Sequence, residues 1–250
     1  MPNFWKFINK AASETEPESA ELRIEGEIIS DDDAWICEWL GIKATSPNTF
    51  KAELTALRGK PITVWIDSYG GDVFAAAGIY NALKEHDAPV TVKVDGKAMS
   101  AASVIAMAGS SILMSPVAIM MIHNPLTYAE GDMHDLRHVA DVLDAVKDTI
   151  VNAYQIKTKK SRTKIAEMMD NETWMSAKAA VKDGFADGMM YADSTESVTN
   201  FAPNMLFNRL AIQNSAKAAS KRLIDLGRQQ NDPPDSVDVL KAKMALQMEL

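Results

Sequence analysis

Ile62-Thr-Val-Trp-Ile-Asp67-Ser-Tyr-Gly70-Gly71-Asp-Val-Phe74 reads as a buried strand, a glycine turn and the start of a helix that continues through Ile79, Tyr80 and Leu83. The same grammar repeats immediately. Val90 to Val94 is a second strand, Gly96 to Ser100 a turn, and Ala101 to Ala108 a short apolar helix. Two consecutive strand-turn-helix units imply right-handed crossovers and a mainly parallel sheet, with both turns at the same carboxyl edge. The fold class is therefore α/β, and Gly71 and Ser100 are expected close together.

Upstream, Leu22 to Ile29 alternates like a half-buried strand, so a globular domain is expected from residue 21, behind a polar, acidic leader of residues 1–20. Ser30-Asp-Asp-Asp33 is a helix start with Trp35, Ile36 and Leu40 behind it, and Thr49 to Leu57 reads as another helix. Downstream, Ser111 to Ser115 and Ala118 to Ile122 read as short strands. Asp132 to Tyr154 carries the apolar spacing of a long amphipathic helix, with Leu136, Val139, Val142, Leu143, Val146 and Ile150. Ser161 to Met169 and Ser176 to Asp183 follow as helices, the latter between an N-capping serine and Gly184. The domain is expected to close at residue 193. A C-terminal extension, 194–250, is more polar, with a weakly patterned helix at Asn204 to Leu226. It ends in an amphipathic helix that sets Val237, Leu240 and Met244 on one face, either docked on its own domain or offered to another chain.

A chain of 250 residues that is 47% hydrophobic and 24% charged can bury a sizeable core in one domain and still carry a tail. Its net charge of −8, without a Lys/Arg block, argues against a nucleic-acid surface. The apolar runs at 104–107 and 112–122 are interrupted and too short to span a bilayer, and the N-terminus lacks the continuous apolar run of a signal peptide. One cysteine, Cys37, read as an inert core residue, excludes an intrachain disulfide and fits a cytoplasmic location.

Ser100 stands where a strand passes into an apolar helix. Most such serines are N-caps. The collar of Ala98, Ala101 and Ala102 lets a substrate backbone approach, and the helix start favours developing negative charge, which suits an acyl-transfer nucleophile. Ser103, one turn on, is expected to face packing, and Lys97 to be solvated in the turn. Among the four histidines, His86 lies in a solvated helix-end turn. His134 and His138 are an i, i+4 pair without further ligands, so no metal or other cofactor is expected. His123 ends an apolar strand before Asn124-Pro125 and is the best general base. The carboxylate that would orient it lies in a loop anchored by Trp174, as either Asp170 or Glu172.

Together, Ser68-Tyr-Gly70-Gly71, Gly96-Lys-Ala-Met-Ser100-Ala-Ala-Ser, Met121-Ile-His123-Asn-Pro125, and Glu172-Thr-Trp174-Met-Ser-Ala with Gly184-Phe-Ala-Asp187 resemble the ClpP-like serine peptidases. They most resemble the ClpP-related proteins of phage and prophage head-assembly clusters. The resemblance covers roughly Leu22 to Asp193. It implies a ClpP/crotonase-like fold of repeated ββα units, a protruding helix that mediates ring assembly, and a Ser-His-acid triad. Ser100 and His123 fall on the family's nucleophile and base. Its acid, usually aspartate, falls on Glu172, with Asp170 as a rival. The matching oxyanion-hole amides are those of Gly71 and Ala101. Substrate backbone would pair near Gly70 and Gly71 and along Asn124 and Pro125.

The expectation is an ATP-independent endopeptidase that cleaves phage scaffold or capsid polypeptides during head assembly, in the bacterial cytoplasm or within proheads. Its C-terminal helix would serve as a partner-binding element. The alternatives are the peptidase subunit of an ATP-dependent Clp-type complex, which the leader's lack of resemblance to the family's N-terminal hairpin ranks lower, and a silent ring or scaffold. Acyl-CoA chemistry of the crotonase type and a Ser-Lys dyad through Lys97 fit the residues less well.

Overall fold

The structure, a computed structural model, describes residues 8–10 and 19–191. The C-terminal extension, with its two expected helices, lies outside the described residues. The first elements are β1 (Ile8–Lys10), β2 (Ser19–Ile28), α1 (Ala34–Trp39), β3 (Ala44–Thr45) and α2 (Pro47–Ala56). The two repeated units follow as β4 (Ile62–Gly71), α3 (Val73–Lys84), β5 (Val90–Met99) and α4 (Ala101–Ala106). Then come β6 (Ser111–Met114), β7 (Ile119–Ile122), α5 (Met133–Thr158), α6 (Arg162–Asp170), β8 (Thr173–Ser176), α7 (Ala177–Asp183) and β9 (Gly188–Met189).

The strands form a mixed sheet in the order β1-β2-β4-β5-β6-β9, parallel from β2 to β9 as the two units require. In-register rungs run across it: Leu22, Val64, Val92 and Ile112 on one level, Ile24, Ile66, Val94 and Met114 on the next. All eight side chains are buried beneath Phe50 and Leu54 of α2, Ile79 and Leu83 of α3, and α4. Period-2 alternation sends the intervening residues to the other face. There Arg23 and Lys93 sit over the Trp65 ring, 5.7 and 5.0 Å from its centroid, and Arg23 pairs with Asp95. The strand at Ile62 is therefore buried on one face only.

Four sequence expectations change. Ile8–Lys10 is a strand antiparallel to Ser19–Glu21, so the leader contributes a rung to the sheet. Both strands run through their expected turns: β4 continues to Gly71 through pairing of Gly70 and Gly71 with β2, and β5 to Met99 because Lys97, Ala98 and Met99 pair with β7. The expected loop at Thr173–Ser176 is β8, antiparallel to β7. Cys37 is half-exposed on a helix that buries none of its residues, and is not in the core.

α5 begins with a reciprocal Asp132–Asp135 capping box and buries only its base, at Ile150, Val151, Ala153 and Tyr154. Leu136 and Val142, on its outer half, are exposed. Among the described residues no helix is long and apolar enough to cross a membrane.

Candidate active site

Ser100 is the single residue between β5 and α4. It turns the chain with φ 51° and ψ −126°, a conformation that costs a non-glycine residue about 1–3 kcal/mol. Hydrogen bonds hold it on both sides. Its N–H donates to the Met121 carbonyl at 2.9 Å, and its carbonyl accepts the Ser103 N–H at 3.0 Å and the Ser103 hydroxyl at 2.6 Å. Gly70 makes the room. A Cβ there would lie 2.7 Å from the Met99 carbonyl oxygen, 2.8 Å from Ser100 Cβ and 2.9 Å from the Ala101 nitrogen.

Pairing of Met99 with Met121 brings the ends of β5 and β7 level, and His123 Nε2 lies 2.7 Å from Ser100 Oγ. That contact is short enough for proton transfer from the hydroxyl to a neutral imidazole. The β7–β8 ladder ends with Ile122 paired to Thr173, so His123 follows and Glu172 precedes its last pair in sequence. Glu172 stands at φ 47°, one of four non-glycine residues with positive φ among those described, and Ser100 is another. Its carboxylate accepts the Trp174 indole N–H at 3.2 Å.

Asp170 contacts a lysine and an amide through Oδ1, which accepts the Lys147 ammonium and, at 2.8 Å, the Asn124 side-chain amide. The lysine, and then the amide, hold its carboxyl below the usual carboxylate range.

Of the glycine pair, Gly71 is exposed, and a Cβ on it would strike the Ile28 carbonyl. Gly70 is buried, and its N–H donates to Ser68 Oγ at 3.1 Å. The amide of Ala101 directly follows the serine turn. Asn124 and Pro125 are half-buried beyond His123.

Lys97 corrects the expectation of a solvated turn residue: it lies on the extended β5 and donates to Asp67 Oδ1 at 2.5 Å, with its ammonium 4.3 Å from the Tyr69 ring centroid. His86 Nε2 lies 2.9 Å from the Lys60 carbonyl oxygen, while His134 and His138 are exposed. No group of three His, Cys, Asp or Glu side chains among the described residues could hold a metal ion. Burial first, then Glu27 and Asp33, pushes the Cys37 thiol up and away from thiolate reactivity. The sequence reading missed two partners. Asp67 is signalled only by strand alternation that puts it on the Lys97 face. Tyr154 is not signalled locally at all.

A family model for Clp protease matches residues 32–193. The chain is 34% identical over 145 residues to the ATP-dependent Clp protease proteolytic subunit 1 of Chlamydia muridarum, covering 56% of this chain and 74% of that protein. It is 31% identical over 149 residues to the ATP-dependent Clp protease proteolytic subunit of Bacteroides fragilis, covering 57% and 72%. The subunit 1 of Salinibacter ruber is 26% identical over 147 residues, covering 58% and 63%. The family match runs from the turn before α1 to just past β9 and takes in the serine turn, the histidine and both acids. The chain belongs to the Clp protease family and is a serine endopeptidase.

Proposed function

We propose that the protein cleaves polypeptides through an acyl-enzyme on Ser100, with His123 as general base and Glu172 as the acid that orients it. The observation carrying this reading is the 2.7 Å Ser100–His123 contact at a strained turn braced by hydrogen bonds. As Ser100 Oγ attacks the scissile carbonyl, His123 Nε2 takes the hydroxyl proton, and the oxyanion forms against the amides of Gly71 and Ala101. The imidazolium then protonates the leaving amine, and water activated by the same imidazole releases the acyl group. Glu172 is favoured over Asp170 by its place next to the last β7–β8 pair, as His123 is on the other strand, and by the lysine and amide that contact Asp170. The substrate lies extended along Gly71 and the segment at Asn124 and Pro125.

The exposed Leu136 and Val142 on α5 support a homo-oligomer, the ring of the family resemblance. The relatives' names favour the proteolytic subunit of an ATP-dependent Clp-type protease over an ATP-independent enzyme of head assembly. The test compares a short peptide and a stably folded protein as substrates, with and without a Clp-type unfoldase and ATP. Peptide cleavage without ATP and folded-protein degradation only with both supports the subunit reading. Rapid ATP-independent cleavage of a capsid or scaffold polypeptide, with no response to the unfoldase, sinks it in favour of head assembly.

A further inference from the structure

We infer that Ser103 and Tyr154 are positioning residues that act on the reaction through the peptide plane joining Ser100 to Ala101. The inference rests on the proposed triad and deepens it. A serine hydroxyl has one proton to give. The Ser100 carbonyl, 2.6 Å from Ser103 Oγ, can only accept, so that proton is spent there. Tyr154 Oη, 2.8 Å from the same Oγ, must then be the donor in its contact. The relay runs from Tyr154 O–H to Ser103 Oγ–H to the Ser100 carbonyl. Both side chains are sealed from solvent, at 0% exposure for Ser103 and 1% for Tyr154.

The carbonyl of Ser100 and the N–H of Ala101 are opposite ends of one rigid plane. Pinning the oxygen therefore aims the N–H, the amide proposed to meet the oxyanion. Aligned hydrogen bonds also polarise one another, so the anchored peptide is a better donor. The anchor matters because Ser100 is held at φ 51° and ψ −126°, where rotation of this plane is the simplest way to relax strain. Tyr154 is itself fixed edge-on against Phe185, with centroids 5.5 Å apart. It belongs to the buried base of α5, so the plane is tied to the position of that helix.

The test uses the full chain as wild type, Ser103→Ala, Tyr154→Phe and the double variant. The readouts are kcat and KM on a chromogenic peptide, affinity for a peptide boronic acid that forms a tetrahedral adduct, and Tm. Ser103→Ala is expected to lower kcat about 10- to 100-fold, less than outright loss of an oxyanion donor, with KM little changed and boronate affinity reduced in step. It also strands the buried tyrosine hydroxyl and lowers Tm. The double variant removes both partners, so Tm recovers while kcat stays at the Ser103→Ala value with no further loss. Recovery of kcat together with Tm, a loss carried by KM, or additive losses would overturn the inference. A wild type that is neither active nor acylated at Ser100 removes the triad and the inference together, whereas full kcat in Ser103→Ala removes the inference alone.

Discussion

Replacing Gly70 with alanine tests whether the serine turn depends on close backbone approach. The native φ of +98° is one that L side chains rarely adopt, and leaving the glycine region costs on the order of 1–2 kcal/mol. The added Cβ also meets three atoms at 2.7 to 2.9 Å, two of them backbone atoms of Met99 and Ala101 and the third Ser100 Cβ. Overpacking of that kind costs about 1–3 kcal/mol, because no flexible side-chain end is available to move aside. The sum, roughly 2–5 kcal/mol, corresponds to a Tm loss of about 4–20 °C for a domain of this size. Catalysis should suffer more. A shift at Ala101 withdraws an oxyanion donor, and such losses reduce kcat about 100- to 1,000-fold. Gly41→Ala is the control, since φ is +65° there and nothing lies within 4 Å. It should lose only the conformational part and keep its kcat. Thermal denaturation and peptide hydrolysis on the two variants decide the matter. If Gly70→Ala falls no further in Tm than Gly41→Ala and hydrolyses peptide at the wild-type rate, the crowding argument is wrong.

Three further outcomes are expected. Lys97→Met should cost about 1–2 kcal/mol in urea denaturation, through loss of the Asp67 ion pair and the Tyr69 contact, yet leave Ser100 acylation intact; lost acylation would revive the Ser-Lys dyad. Phe185→Ala, at a fully buried site beside Tyr154, should cost about 3–5 kcal/mol in the same assay, and a loss under 1 kcal/mol would show that the site collapses freely. Asp170 has its pKa lowered by Lys147 and Asn124, so its contribution to stability is complete above the ordinary carboxylate range and disappears as pH falls through the lowered value. Melting wild type and Asp170→Asn across pH should show a difference at neutral pH that closes only in acid, and a difference that grows in acid would reverse the sign.

The two units were legible because each carries its own local signals, an apolar strand, glycines and then a helix, although the glycines lie in the extended ends of β4 and β5 and not in separate turns. Ser100 and His123 were legible for the same reason, as residues at the ends of locally signalled elements. What escaped depends on pairing between distant segments. Thr173 to Ser176 has too few residues to show a strand period, and only β7 makes it one. The choice between Glu172 and Asp170 depends on how β8 pairs with β7, which the local sequence does not signal. Lys97 resembled a solvated turn residue because the pairing that continues β5 to Met99 comes from β7, some twenty residues away. The exposed face of α5 carries the same apolar spacing as a buried one, since periodicity reports a stripe and not what covers it.

The most direct test is the intact mass of the protein after exposure to a fluorophosphonate, for wild type, Ser100→Ala, His123→Ala, Glu172→Gln and Asp170→Asn. The account predicts one adduct on wild type, none on Ser100→Ala, slow labelling of His123→Ala and Glu172→Gln, and labelling of Asp170→Asn close to wild type. An adduct that persists in Ser100→Ala, or labelling that depends on Asp170 and not on Glu172, would contradict it.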